Sequence, residues 1–233
     1  MARIDDPVIL ALDIGDRDRL MELAEGMRGE VRTVKIGLEA FTRYGQEIIT
    51  AMRKLGFLVF ADLKLHDIPN TVRGAVAALA ELGAYMLTVH VSGGRKMLEA
   101  AMEAAKGAER PPLVLGVTVL TSLEDASLRE MGWEVRVEDA VISMAGLGRE
   151  CGLDGFVCSP RELAAIRGAV GKEPLLVAPG IRLPGTEAHD QVRTATPREA
   201  LQAGADYLVV GRTVISQPDP REALRSLRIS MGR

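Results

Sequence analysis

Eight short apolar runs, separated by longer segments of helical periodicity, set the strongest limit on how this chain can fold. The runs are Val8–Leu12, Thr33–Ile36, Leu58–Ala61, Tyr85–His90, Leu113–Val119, Gly155–Cys158, Leu175–Ala178 and Tyr207–Val210. Between and after them lie amphipathic patterns over Arg17–Met27, Glu39–Lys54, Val72–Leu82, Lys96–Ala105, Val137–Glu150, Arg161–Val170, Pro197–Ala203 and Pro220–Leu227, the last following a Pro218-Asp219 start signal. The apolar runs are near-continuous rather than alternating, as expected of parallel strands covered on both faces. Strand–helix alternation of this kind predicts an α/β fold, a (β/α)8 TIM barrel. A doubly wound open sheet has the same periodicity, because barrel closure leaves no mark on it. No linker, low-complexity segment or shift in composition divides the chain, so residues 1–233 are expected to form a single barrel domain.

The formal net charge of −3 gives no general attraction to nucleic acid or to anionic lipid. No apolar stretch approaches the roughly 18 residues needed to span a bilayer. The charged Met1–Pro7 segment has no signal-peptide core after it, since Asp13 interrupts the apolar run. Only two cysteines occur, which suits a reducing cytoplasm. Cys151 and Cys158 lack the close spacing and histidine partner of a metal site and read as small thiols of the interior. The three histidines are scattered, so no metal is expected. His66 alternates away from Asp62 and Lys64 and is expected to pack against a helix. His90 fits either a core histidine, the favoured reading, or a polar group of the rim, and His189 is expected in solvent. Met131 and Trp133 read as packing residues.

A barrel concentrates chemistry at the C-terminal ends of its strands, and polar groups do gather there. Asp13 follows the first run, Lys35 ends the second, and Asp62 and Lys64 follow the third. His90 ends the fourth, and Thr118, Thr121 and Ser122 come at or after the end of the fifth. Pro179-Gly180 and Gly211-Arg212 follow the seventh and eighth. Loops in the last two positions commonly bind phosphate in barrels, and the planar fork of Arg212 can grip two phosphate oxygens. The long connection from Pro179 to about Thr196, carrying Arg182 and Gln191, has the length of a closing lid. Lys35 and Lys64 are two of only six lysines. In an extended strand Asp62 and Lys64 share a face. On spacing alone, the crowding of Asp62, Lys64 and Asp67 fits either a catalytic lysine or a structural ion-pair cluster.

The block Asp62-Leu63-Lys64-Leu65-His66-Asp67-Ile68-Pro69-Asn70-Thr71 closely resembles the signature of the orotidine 5′-phosphate decarboxylases in their bacterial form. The resemblance covers essentially the whole chain. It extends to Leu10–Asp13, Lys35–Glu39, Val89–Gly94, Val117–Ser122, Ala178–Arg182 and Val210–Arg212, in order and at strand ends. It implies removal of CO2 from orotidine monophosphate to give uridine monophosphate, the last step of pyrimidine synthesis, without metal or organic cofactor. It assigns Lys64 as proton donor to C6, in an alternating array with Lys35, Asp62 and Asp67. It further implies a homodimer with shared sites, in which Asp67 and Thr71 come from the neighbouring subunit. Asp13 and Lys35 are implied ribose ligands, and Thr121 and Ser122 face the pyrimidine edge, Ser122 through its amide. Gln191, Gly211 and Arg212 match phosphate contacts, Arg182 lies in the closing loop, and Ile68 and Pro179 are further substrate contacts.

The chemistry explains why these residue types are needed. Decarboxylation leaves an electron pair on an sp² carbon that no adjacent carbonyl can accept. Fixed positive charge and a ready proton must then replace a cofactor sink. Magnesium-dependent ketogulonate-phosphate decarboxylases and hexulose-phosphate synthases are rivals on the same barrel; they share Asp-x-Lys-x-x-Asp but lack the Ile-Pro-x-Thr that follows here. A Schiff-base aldolase using Lys64 and a catalytically silent nucleotide-binding barrel are the other readings.

Overall fold

The computed structural model describes residues 6–183 and 194–232. Among these, eight parallel strands close into a barrel in sequence order: β1 (Val8–Ala11), β2 (Thr33–Gly37), β3 (Leu58–Leu65), β4 (Met86–His90), β5 (Leu113–Val117), β6 (Gly155–Val157), β7 (Leu175–Ala178) and β8 (Tyr207–Val210). Closure is made by β1 against β8, with Leu10 opposite Val210. The TIM barrel expected from the sequence is therefore the fold, and the open sheet is not. The helices are α1 (Arg17–Gly26), α2 (Leu38–Tyr44), α3 (Glu47–Lys54), α4 (Pro69–Glu81), α5 (Gly94–Gly107), α6 (Asp125–Glu130), α7 (Val137–Glu150), α8 (Leu163–Val170), α9 (Pro197–Gln202), α10 (Arg212–Ile215) and α11 (Pro220–Ser230).

Strand alternation sorts the apolar residues into two cores. Ile9, Phe60, Met86, Leu115, Val177 and Tyr207 fill the barrel interior. Val8, Leu10, Val34, Leu87, Val114 and Leu176 face outward and meet the helix layer. Both faces of each strand are thus buried, which is why the runs carry little polar alternation. Helix starts follow local rules. Asp16 accepts from Arg19 N–H at 2.8 Å to cap α1, and Thr196 with Glu199 forms a capping box on α9. Asp219 accepts from the first amides of α11, as the Pro218-Asp219 signal indicated.

Three departures from the sequence reading have local causes. The pattern over Glu39–Lys54 is two helices, because Gly45 takes φ = 59° and its N–H bonds Phe41 O at 2.7 Å, ending α2. Strand β3 runs on through Asp62 and Lys64 to Leu65 rather than ending at Ala61, while β5 stops at Val117 instead of Val119. The short helices α6 and α10 were not anticipated, being too brief for periodicity to reveal.

Glycine marks one place where the barrel wall has no room. A Cβ on Gly155, in β6, would overlap the carbonyl oxygen of Leu175 on β7, and backbone cannot move aside. Gly168, exposed in α8, has nothing within 4 Å of its would-be Cβ. Gly155→Ala should therefore destabilise the protein by about 2 kcal/mol, and Gly168→Ala should stabilise it by about 0.5–1 kcal/mol. Urea unfolding of the two variants beside the parent reads both signs, and equal midpoints would refute the packing argument.

Candidate active site

Four charged side chains converge where the first three strands leave the barrel. Asp13 lies just past β1, Lys35 within β2, and Asp62 and Lys64 in the second half of β3. The register sets Ala11 beside Lys35 and Gly37 beside Asp62, so the groups fall at neighbouring heights on adjacent strands. Lys35 Nζ is 3.1 Å from Asp13 Oδ1 and 3.6 Å from Asp62 Oδ2. Lys64 Nζ donates to Asp62 Oδ1 at 2.8 Å. The order Asp13–Lys35–Asp62–Lys64 alternates in sign along its whole length. Gly37 makes room for it, since a Cβ there would lie 2.6 Å from Asp13 Oδ1 and 3.0 Å from Lys35 Nζ.

Burial raises the stakes of these pairings. The Lys35 and Asp62 side chains are only 10% and 11% exposed. Burial alone would push the Asp62 pKa up, but the ammonium groups of Lys35 and Lys64, with hydrogen bonds from Lys64 and Thr88, outweigh it. The carboxyl is held below the usual range and stays ionised. Each lysine at such a distance contributes about 4 kcal/mol of attraction at an effective dielectric near 20.

Asp62 and Lys64 meet as the sequence implied, though not through simple strand alternation. Ala61 pairs with Leu87 and Leu65 with Val89, with a register shift between them. Lys64 takes φ = 52°, the only positive φ at a non-glycine among the described residues. A left-handed backbone costs a residue with a Cβ about 1–2 kcal/mol, and such strain collects at functional sites. The Lys64 amide donates to Thr88 Oγ1 at 2.8 Å, and Thr88 Oγ1 lies 3.2 Å from Asp62 Oδ1.

The charges open into a cavity of about 490 Å³ at the strand C-termini. Asp13, Lys35, Asp62 and Lys64 line it together with Thr121, Pro179, Arg182, Gly211 and Arg212. Arg182 donates to Ile181 O at 2.9 Å and to Thr213 Oγ1 at 3.4 Å, which fixes its guanidinium. Burial and the nearby Arg212 charge both lower the Arg182 pKa. Two like charges gathered here favour a multiply charged anion. Cys158 also lines the cavity, but full burial pushes its thiol far above the range in which a thiolate forms.

Other expected site residues lie elsewhere. Asp67, Ile68, Thr71 and Ser122 are exposed and are not among the cavity-lining residues. Asp67 accepts from the Ile68 amide at 2.6 Å and makes no ion pair with either lysine among the described residues. Gln191, His189 and the middle of the lid fall outside the described residues. The ends of that connection are held together, with Arg182 N–H bonding Ala195 O at 3.0 Å. His66 is exposed, with its ring beside Gly93 at the start of α5 and its centroid 5.3 Å from that of His90, which is half-buried at the strand end rather than in the core. Met131 and Trp133 are exposed. Among the described residues no three of His, Cys, Asp and Glu cluster as metal ligands. Sequence reasoning missed Gly37 and Thr88. The signal for Thr88 was a hydroxyl between Leu87 and Val89 in an otherwise apolar run.

Comparison with known proteins bears on the whole chain. A model of the Orotidine 5′-phosphate decarboxylase / HUMPS family matches residues 6–227. An orotidine 5′-phosphate decarboxylase of Chromobacterium violaceum is 45% identical over 226 residues, covering 97% of this chain and 92% of that protein. One of Coxiella burnetii is 43% identical over 229 residues, covering 97% of each. The crystal structure of orotidine 5′-phosphate decarboxylase from Lactobacillus acidophilus superposes with a TM-score of 0.87 at 35% identity, covering 98% of this chain and 100% of that one. Fold, motif order and these matches agree: the chain belongs to the Orotidine 5′-phosphate decarboxylase / HUMPS family.

Proposed function

We propose that the protein decarboxylates orotidine 5′-monophosphate to uridine 5′-monophosphate, the last step of de novo pyrimidine nucleotide synthesis, as a cytoplasmic homodimer. The observation that carries the reading is the Lys35–Asp62–Lys64 array at one side of a cavity that also holds Arg182 and Arg212. A ligand with a carboxylate on a ring and a phosphate on a ribose matches a cavity lined by both this array and two arginines. The names of the relatives at 43% and 45% identity support the same substrate. The sequence Ile68-Pro69-Asn70-Thr71 after Asp67 supports it against the phosphosugar enzymes of the same barrel.

In this reading the C6–carboxylate bond breaks and CO2 departs, leaving the bonding pair on C6. The Lys64 ammonium stabilises that charge and gives C6 its proton. Lys35 and Asp62 hold Lys64 in place, and Asp62 lies near the leaving carboxylate. Asp13 and Lys35 bind the ribose hydroxyls, Thr121 and the Ser122 amide face the pyrimidine edge, and Pro179 packs beside it. Arg212, with Gly211 and Gln191, binds phosphate, and Arg182 contributes from the loop after β7. Phosphate binding then supports chemistry at the far end of the same ligand by fixing its position.

Asp67, Ile68 and Thr71 belong to a second copy's site in this reading. Their exposure supports it, as does the proximity of Asp67 in sequence to Lys64 without an ion pair to either lysine among the described residues. The reaction needs no metal, no organic cofactor and no nucleic acid.

Loss of orotidine monophosphate absorbance should proceed unchanged with EDTA present; no turnover, or turnover abolished by the chelator, would sink the proposal. Lys64→Ala should lower kcat by about 10³-fold or more while uridine monophosphate still binds. Arg212→Ala should act chiefly on KM, raising it about 100-fold, because phosphate contacts are made in ground and transition states alike. Mixing Asp67→Ala chains with Lys64→Ala chains should restore part of the activity that each lacks. Mixtures no more active than their parents would count against shared sites.

A further inference from the structure

The strands β3 and β4 fall out of step beside the active site. Ala61 stands opposite Leu87 and Leu65 opposite Val89, so Asp62, Leu63 and Lys64 together face the single residue Thr88. A strand with surplus residues must coil locally, and Lys64 does so by adopting its left-handed φ of 52°. That turn takes the Lys64 amide off the regular ladder. Thr88 Oγ1 receives it at 2.8 Å.

The chemistry of the hydroxyl fixes the direction of its second bond. An amide N–H can only donate, so Oγ1 accepts from Lys64. Its single proton is then directed to the ionised Asp62 Oδ1 at 3.2 Å. Asp62 Oδ1 is the same oxygen that holds Lys64 Nζ at 2.8 Å. A closed circuit results: Lys64 amide, Thr88 hydroxyl, Asp62 carboxylate, Lys64 ammonium. Thr88 is wholly buried and does not line the cavity, so it reaches substrate only through these two residues.

We infer that Thr88 is a positioning residue for the reaction, whose hydroxyl holds the left-handed backbone of Lys64 and the carboxylate of Asp62 so that the Lys64 ammonium is aimed at the reacting carbon. The inference rests on the reading of Lys64 as proton donor. It differs from a space-filling role in an experimentally separable way. Valine matches threonine in shape but lacks the hydroxyl, whereas serine keeps the hydroxyl and leaves a methyl-sized gap. A space-filling residue is replaced better by valine and a positioning hydroxyl better by serine.

Steady-state kinetics of Thr88→Val and Thr88→Ser beside the parent decide between them. Thr88→Val should lose about 10-fold or more in kcat with KM changed by less than about 2-fold, since misaimed groups cost the chemical step and leave distant phosphate contacts intact. Thr88→Ser should stay within about 3-fold of the parent kcat. Were Thr88→Val not to fold, Thr88→Ala against Thr88→Ser makes the same contrast of hydroxyl removed and hydroxyl kept. Equal kcat in the parent and the hydroxyl-less variant, or equal losses in Val and Ser, overturns the assignment. A parent that does not turn over orotidine monophosphate overturns the functional reading itself, and so is distinguished from failure of the Thr88 assignment alone.

Discussion

A carboxylate buried between two ammonium groups is the constraint around which the rest of the site is arranged. Asp62 is almost out of water, and an isolated charge there would shift its pKa upward and neutralise. Lys35 on one oxygen and Lys64 on the other reverse that tendency. Neither lysine could be buried without Asp62, and Lys35 also needs Asp13 on its far side. Lys35 and Asp62, the two buried members, each have two partners of opposite sign, so removing one leaves the other with less compensation in a poorly solvated place. Rigidity of this kind suits a reaction whose transition state needs charge already in place, since no reorganisation is then required as the bond breaks.

The barrel makes the arrangement possible at little local cost. Parallel strands deliver consecutive C-termini to one rim, so residues far apart in sequence meet at or just past the strand ends. Asp13, Lys35 and Asp62 come from three adjacent strands, and Arg182 and Arg212 follow the two that close the circle from the other side. The apolar interior below, with Phe60, Met86, Leu115 and Tyr207, keeps water from the buried side of the charges. Stability is thus drawn from the layers beneath, and the rim is left for chemistry.

How far this could be read from the chain differs between its parts. The eight runs were legible because burial on both faces suppresses polar residues, and the strand boundaries came out nearly right wherever a run ended in glycine or a capping residue. The Glu39–Lys54 pattern shows the limit: periodicity continued across Gly45, although the helix did not. Asp13, Lys35, Asp62, Lys64 and Arg212 were legible as charges at strand ends. Thr88 was not, because a threonine in a strand is ordinary by propensity and only the slipped register of β3 against β4 gives its hydroxyl two partners. Gly37 was likewise invisible, since the need for an absent Cβ arises first from Asp13, which approaches it from beyond the end of β1.

The places where local rules fail cluster together. Lys64 has a backbone conformation that no lysine prefers, Asp62 and Lys35 are charges in a core, and β3 carries more residues than its partner can pair. Elsewhere the strands are apolar, and α1, α9 and α11 begin at side-chain caps. Sequences that specify one fold keep their levels consistent, and the violations that persist are those the surroundings over-determine. Here a single stretch from Asp62 to Lys64 contains all three, and each is answered by a neighbour: Lys35 for the charge, Thr88 for the amide, Leu65 for the resumed ladder. The strain at Lys64 is therefore not a defect tolerated by a stable barrel. It is what lets one short strand end present an acid and a base to each other at 2.8 Å while both still face the cavity.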